Sequence, residues 1–401
     1  MSYWSLAASD GYERRFDSRL PPGSVARSCR PGPPRAGLPL VYLVPGGHFP
    51  RAVRASAINT MLRTQCAQCA APLAHNAPRC GICKTRYCGR DCQKLHWKGG
   101  HKELCPVIKR RGGPEVIYAE KKNEEAVAVA AEKCAEDTKG QTCYICTEAL
   151  HWKTKEGLVR MCACRGTAGF AHVSCLAEQA KILFAEAEEN NLGAKVLSER
   201  SRRWSTCSLC EQNYHGEVRC ALGWACWKTY LGRPERDQAR GLAMNVLGLG
   251  LDSADHDEDA LSVREAELSM RQRVGSSAHN ILAVQANLAC SYHALGRREE
   301  ALRIERHVYS GWLKLEGRET QKTLTAANNY ADSLLSLGRF EEAKALMHRL
   351  VPVARRILGD SHNLTLEMRW KYAEALCRDD SATLDDLREA VSTLEDAGRI
   401  A

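Results

Sequence analysis

From residue 237 onward, apolar positions recur at helical spacing, and the pattern repeats every 42 residues. Gly275, Gly317 and Gly359 share one phase of the repeat, Leu282, Leu324 and Leu366 a second, and Ala289, Ala331 and Ala373 a third. The phrase Leu295-Gly296-Arg297-Arg298-Glu299-Glu300-Ala301 returns as Leu337-Gly338-Arg339-Phe340-Glu341-Glu342-Ala343, and a degenerate earlier copy ends in Glu258-Asp259-Ala260-Leu261. Each unit is predicted to be a helix pair. Small residues at fixed positions let the two helices approach, and glycine supplies the turn between them. The spacing predicts four pairs over 237–401. The last is atypical, as terminal repeats often are, because Arg378 to Asp386 replaces the glycine turn.

Upstream the periodicity changes. Residues 1–65 cluster Pro and Gly at Pro21-Pro22-Gly23 and Pro31-Gly32-Pro33-Pro34 without helical or strand period, which predicts a disordered arm. Within it, Leu38 to Val44 could form one short strand or docking peptide. The break Gly112-Gly113-Pro114 opens a helical linker over 112–142. Glu115 to Asp137, rich in Ala, Glu and Lys, forms its helix, and Gly140 ends it. Leu176 to Arg200 is helix-forming, with Leu176, Ala180, Leu183 and Phe184 on one apolar face. Residues 211–236 form an aromatic-rich connector carrying Tyr214, Trp224, Trp227 and Tyr230.

Cysteine spacing then changes the picture. The chain has 20 cysteines, most in close pairs interleaved with histidine. One array runs Cys143-x2-Cys146, Cys162-x-Cys164, His172-x2-Cys175 and Cys207-x2-Cys210. Another runs Cys66-x2-Cys69, Cys80-x2-Cys83, Cys88-x3-Cys92 and His101-x3-Cys105. Zinc takes four thiolate or imidazole donors in a tetrahedron, and each close pair supplies half of one. Chance does not yield eight ordered pairs. His96 is not needed, because both sites of its array are already full. His215, Cys220 and Cys226 complete no site by spacing and read as core residues.

The segment Cys162-Ala-Cys164-Arg-Gly-Thr-Ala-Gly-Phe-Ala-His172-Val-Ser-Cys175 resembles the RING-CH (RING-variant) zinc finger, placing that finger at 143–210. A PHD finger has the same ligand order. Against it stand the C-x-C second pair and Trp204, which lies three residues before Cys207 rather than two. The RING-CH resemblance implies cross-bracing: Cys143, Cys146, His172 and Cys175 on one zinc; Cys162, Cys164, Cys207 and Cys210 on the other. The gap of thirty-one residues between Cys175 and Cys207 is longer than usual there and reads as an insertion. The segment from Tyr87 to Cys105 resembles the MYND finger, placed at 66–105. It implies Cys66, Cys69, Cys88 and Cys92 on one zinc, and Cys80, Cys83, His101 and Cys105 on a second. Four zinc ions per chain follow. The MYND resemblance also puts Gln93 and Trp97 on a peptide-binding face. The repeats resemble tetratricopeptide repeats of the kinesin light chain-like subtype. In that architecture first helices line the concave face, where Asn287 and Asn329 are peptide-binding candidates. The expected fold is therefore mainly α: an α-α superhelical, TPR-like repeat array with two small zinc-stabilised, cross-braced fingers and a disordered N-terminal arm.

Charge and compartment narrow the partners. The net charge of +9 sits early in the chain: residues 1–65 hold nine arginines against three acids. Basic residues there are not interleaved with aromatics as a nucleic-acid stacking groove requires, so nucleic acid is not the expected partner. No run approaches the roughly 18 apolar residues of a membrane span. Paired cysteines with no signal peptide point to metal in a reducing, intracellular compartment, cytoplasmic or nuclear.

No phosphate-binding loop, dinucleotide fingerprint or H-E-x-x-H motif occurs. The reading that follows is a zinc-binding protein–protein interaction adaptor, with proteins or peptides as partners. The alternative is a RING-type ubiquitin ligase whose other modules select substrates. Ile145, and with it Leu209, would then contact a ubiquitin-conjugating enzyme. The RING-CH family usually sets a Trp about four residues after the sixth ligand; this chain has Gln179 there.

Overall fold

A computed structural model describes residues 66–69, 71, 77–379 and 381–400. The arm expected over 1–65 lies outside the described residues. The first finger holds two short helices, α1 (Arg90–His96) and α2 (Lys102–Arg110), joined by a kinked turn through Trp97–His101. Gly100 sits at φ 109 in that turn, a value L-residues avoid. Helix α3 (Pro114–Lys133) follows, with proline in its first turn, where the absent N–H is no loss. The second finger carries α4 (Val173–Glu189) and α5 (Gly193–Ser201), which fill the long gap between its sixth and seventh donors.

Helix α6 (Gly216–Tyr230) organises the rest. It is apolar nearly all round, which marks a helix buried on every side. Val218, Ala221 and Leu222 enter the core of the second finger beside Leu158, Phe170 and Leu176. Cys220, Trp224 and Trp227 pack instead with Phe184, Trp204, Met244 and Leu247. The aromatic connector is thus a shared core helix. Helix α3 lies against it too, with Ala119 buried and Tyr118 edge-on to Trp224 at 6.1 Å. Fingers and repeats belong to one unit, Thr60–Ala401.

Eight helices complete the chain: α7 (Gln238–Ser253), α8 (Asp257–Arg273), α9 (Ala278–Ala294), α10 (Arg298–Glu316), α11 (Gln321–Ser336), α12 (Phe340–Leu358), α13 (Asn363–Arg378) and α14 (Leu384–Ile400). Each packs on its successor. The first helices of the pairs are capped by the side chains of Asp237, Ser277, Thr320 and His362, which accept otherwise orphaned N–H groups. Gly275, Gly317 and Gly359, in phase in the sequence, all have positive φ. Ala289, Ala331 and Ala373 are buried, as a small-residue seam requires. Leu324, Leu334, Met347, Met368 and Leu376 anchor a core of their own in the last two pairs.

The contact of α6 with α7 is backbone to backbone. A Cβ at Gly223 would lie 2.9 Å from Leu247 Cα, and one at Gly250 2.7 Å from the Arg219 carbonyl oxygen. Backbone cannot swing aside as a side chain does, so the helices must separate. Gly223→Ala is expected to cost about 1–3 kcal/mol, the usual range for overpacking. Urea unfolding measures it, and an unchanged midpoint would disprove the close packing.

Among the described residues there is no sheet, only single-pair bridges. Arg79 pairs with Arg86, Val159 with Ala171, and Thr206 with Asn213. No helix of the described residues is long and apolar enough to cross a membrane.

Candidate metal centres

Two of the bridges are consequences of the cysteine spacing. Arg79–Arg86 brackets Cys80-x2-Cys83, and Thr206–Asn213 brackets Cys207-x2-Cys210. Each forms a tight hairpin that turns both sulfurs inward. The residue after the second cysteine takes a left-handed conformation in three such knuckles: Lys84 (φ 67), Thr147 (φ 64) and Glu211 (φ 57). A non-glycine residue resists that conformation, so the knuckle is held there by the rest of the finger. The N–H groups of Ile145 and Leu209 donate to Cys143 Sγ and Cys207 Sγ, both at 3.4 Å.

Four groups of donors converge: Cys66, Cys69, Cys88 and Cys92; Cys80, Cys83, His101 and Cys105; Cys143, Cys146, His172 and Cys175; Cys162, Cys164, Cys207 and Cys210. Within each, all ligand atoms lie within 4.8 Å of one another. Zn–S bonds of about 2.3 Å in a tetrahedron place sulfurs roughly 3.8 Å apart. The separations are 3.5 Å for Cys69 and Cys88, 3.4 Å for Cys88 and Cys92, 3.6 Å for Cys80 and Cys105, and 3.8 Å for Cys164 and Cys207. His101 presents Nε2 at 3.3 Å from Cys83 Sγ, whereas His172 presents Nδ1 at 3.3 Å from Cys146 Sγ. The other nitrogen of His172 lies 3.4 Å from the Ala149 carbonyl oxygen, which orients the ring. These donors fit four zinc ions, and the cysteines are free rather than disulfide-bonded. Cys88 lies just before α1 and Cys92 inside it, so this pair straddles the helix start rather than sharing a turn, as its spacing had suggested.

The electrostatics agree. One thiol of every tetrad is shifted toward thiolate: Cys66 to about 6, Cys207 to about 7, and Cys80 and Cys143 below the ordinary range. Burial opposes the shift in all four, and the knuckle N–H groups outweigh it. Other members move upward. Burial pushes Cys105 up to about 12 and Cys164 to about 11, and Cys162 and Cys175 rise further. Such a cluster holds one negative charge easily and four with difficulty, unless a dication is present.

Models of three families match this chain. The MYND finger covers residues 66–105, the RING-variant domain 143–210, and the tetratricopeptide repeat 281–321 and 323–364. The chain carries all three modules. The four tetrads accordingly correspond to two zincs in the MYND finger and two in the RING-variant domain. The RING-variant match, rather than a PHD finger, accounts for the second array. Zinc fingers and repeats of these kinds are protein-interaction modules, and proteins are the partners they take. No curated protein matches the chain. Two crystal structures of a Podosopora anserina putative kinesin light chain with nearly identical TPR-like repeats are 20% identical, at TM-score 0.39, over 57% of this chain and 95% and 96% of theirs. BtubC (BKLC) from P. vanneervenii is 12% identical, at TM-score 0.44, over 57% of this chain and 89% of its own.

The candidate contact residues are placed unevenly. Ile145 and Leu209 are exposed, at 37% and 51%, on two knuckles of the RING-variant domain. Those knuckles are tied together, with Tyr144 Oη and Ser208 Oγ 3.0 Å apart. Gln179 is half-buried on α4. In the MYND finger Gln93 is half-buried and Trp97 exposed, its ring 5.9 Å from that of His101. His96 stacks on His101 and meets the Tyr87 hydroxyl at 3.0 Å, outside both tetrads. In the repeats Asn287 is buried and accepted by a neighbour, donating Nδ2 to Asn245 Oδ1 at 3.0 Å. Asn329 is half-buried one repeat on.

Two features had no distinguishing signal in the sequence. Trp152, on the loop after the first RING-variant pair, is 69% exposed, an unusual state for so large an apolar ring. Glu156 accepts from the Ser174 N–H at 2.7 Å and hydroxyl at 2.8 Å, fixing the start of α4 next to His172 and Cys175.

Proposed function

We propose that the chain is a non-catalytic adaptor that brings proteins together through its MYND finger, RING-variant domain and repeats. The observation that carries this reading is that all four zinc sites are closed. Every ion would meet four protein donors, which leaves no position for a water or substrate. The zincs then act by holding recognition surfaces rigid. Gln93 and Trp97 on the MYND finger and Asn329 on the repeats serve as peptide contacts; Asn287, bonded to Asn245, orders the repeat face instead. Pull-down of peptides from a displayed library, repeated with Trp97→Ala, tests the MYND face. Retained binding by that variant would remove Trp97 from the interface.

A second reading, a ubiquitin ligase, is favoured by Ile145 and Leu209 standing exposed on knuckles joined through Tyr144 and Ser208. Such a ligase supplies no nucleophile; it holds a charged conjugating enzyme near its target. Rigid knuckles make modest apolar contact sufficient for weak association. With Gln179 where the RING-CH family usually has Trp, one aromatic hot spot is absent. Auto-ubiquitination with a panel of conjugating enzymes is therefore expected to be weak or undetectable, and Ile145→Ala to change little. Robust chain formation, abolished in Ile145→Ala with zinc content unchanged, would replace the adaptor reading with the ligase.

A further inference from the structure

A fifth group of soft and borderline donors lies away from both fingers. Glu217 stands in the first turn of α6, and Cys220 three residues later, so the two share a helix face. His256 precedes α8 as its N-cap residue, and its side chain caps no N–H. The turn that delivers it is tightly held: Asp255 is left-handed at φ 59, and the His256 N–H donates to the Leu251 carbonyl at 3.0 Å. The carboxylate, thiol and imidazole atoms all fall within 4.8 Å of one another. Cys220 is buried while Glu217 is half-buried and His256 exposed. The group thus runs from the core outward to solvent, with an open side through which an ion can enter. Neither Glu217 nor His256 is taken up in an ion pair among the described residues. The other charged groups near the thiol are Asp259, one helical turn after His256, and Lys122 of α3.

We propose that Glu217, Cys220 and His256 form a fifth metal site, an exchangeable one for zinc or a similar borderline divalent cation. One sulfur, one nitrogen and one oxygen donor suit that class of ion and not magnesium or calcium, which take oxygen. Three protein donors leave a fourth position to water or to the Asp259 carboxylate. A three-donor site half open to solvent binds more weakly than the four closed tetrads, so it fills and empties while they stay loaded. Its location gives it an effect. Glu217 and Cys220 belong to α6, the helix shared by finger and repeats, and His256 opens α8 of the first repeat pair. An ion here would pin that helix to the array.

Cobalt(II) is the probe. Added to the full chain already holding its four zincs, it is expected to bind at one further equivalent and to produce a sulfur-to-cobalt charge-transfer absorption. Because His256 is exposed, His256→Ala keeps the fold, which circular dichroism verifies. It should weaken the extra equivalent at least about tenfold, in line with the cost of altering a metal site's donor shell. Cys220→Ser should abolish the absorption while the four zincs remain. Absence of an extra equivalent in the unmodified chain, an extra equivalent indifferent to His256→Ala, or a sulfur band surviving Cys220→Ser would each overturn the proposal.

Discussion

Replacing His172 by Ala is expected to empty its zinc site and to loosen the chain well beyond the finger. His172 is fully buried and supplies the single nitrogen of its tetrad. A structural zinc contributes about 10–16 kcal/mol of apparent binding free energy at neutral pH, as much as a whole domain's stability. Losing one donor forfeits a large part of that and leaves three thiols crowded together. The finger's core contains Val218, Ala221 and Leu222 of α6, whose other face holds the first repeat helices through Trp224, Trp227, Met244 and Leu247. Damage therefore passes through one helix into the array. The last two helix pairs have a core of their own and should not follow. Elemental analysis should give three zincs or fewer, and hydrogen exchange should show lost protection in α4, α6 and α7 with α11–α14 still protected. Unchanged protection in α6 would show that finger and repeats are independent after all.

Gly169→Ala should remove a different zinc by a purely steric route. Gly169 has φ 86, a region that alanine rarely enters. A Cβ there would lie 2.6 Å from Cys164 Cβ, 2.9 Å from Cys164 Sγ and 3.5 Å from Cys162 Sγ. Both sulfurs are donors of the second RING-variant tetrad, and the backbone must rise over them to bring His172 and Cys175 into the first. Adding a methyl displaces a ligand or the loop, so the variant should hold one zinc fewer or precipitate. Ala168→Gly, next door, is the control that keeps the φ requirement and adds no bulk. A Gly169→Ala protein retaining four zincs would mean that the loop can lift without cost.

These expectations show where sequence reasoning reached and where it stopped. The donors of all four tetrads were legible because zinc demands close pairs, and close pairs are a local property of the chain. The repeats were legible for a similar reason: a 42-residue period puts Ala289, Ala331 and Ala373 in one seam without any long-range knowledge. The caps Ser277 and Thr320 and the positive φ of Gly317 follow the same local rules.

Residues whose role depends on a distant segment were not legible. Asn287 read as a peptide contact, yet its amide meets Asn245, 42 residues earlier in the same phase, once neighbouring repeats stack. The aromatic segment around Trp224 read as a connector, because aromatic content does not say how many neighbours a helix will have. Cys220 read as a core residue and is one, but only the turn at Asp255 swings His256 against it.

For this protein, the sequence by itself determined the metal chemistry, the cross-braced fingers and the repeat architecture, since each is written in short-range spacing that zinc coordination or helix geometry must obey. The tertiary structure alone decided that α6 joins finger to repeats, that Ile145 and Leu209 stand exposed on knuckles tied through Tyr144 and Ser208, and that Glu217, Cys220 and His256 meet. Those outcomes depend on which surfaces the packed helices bring together. That is a property of the whole fold, which no local spacing encodes.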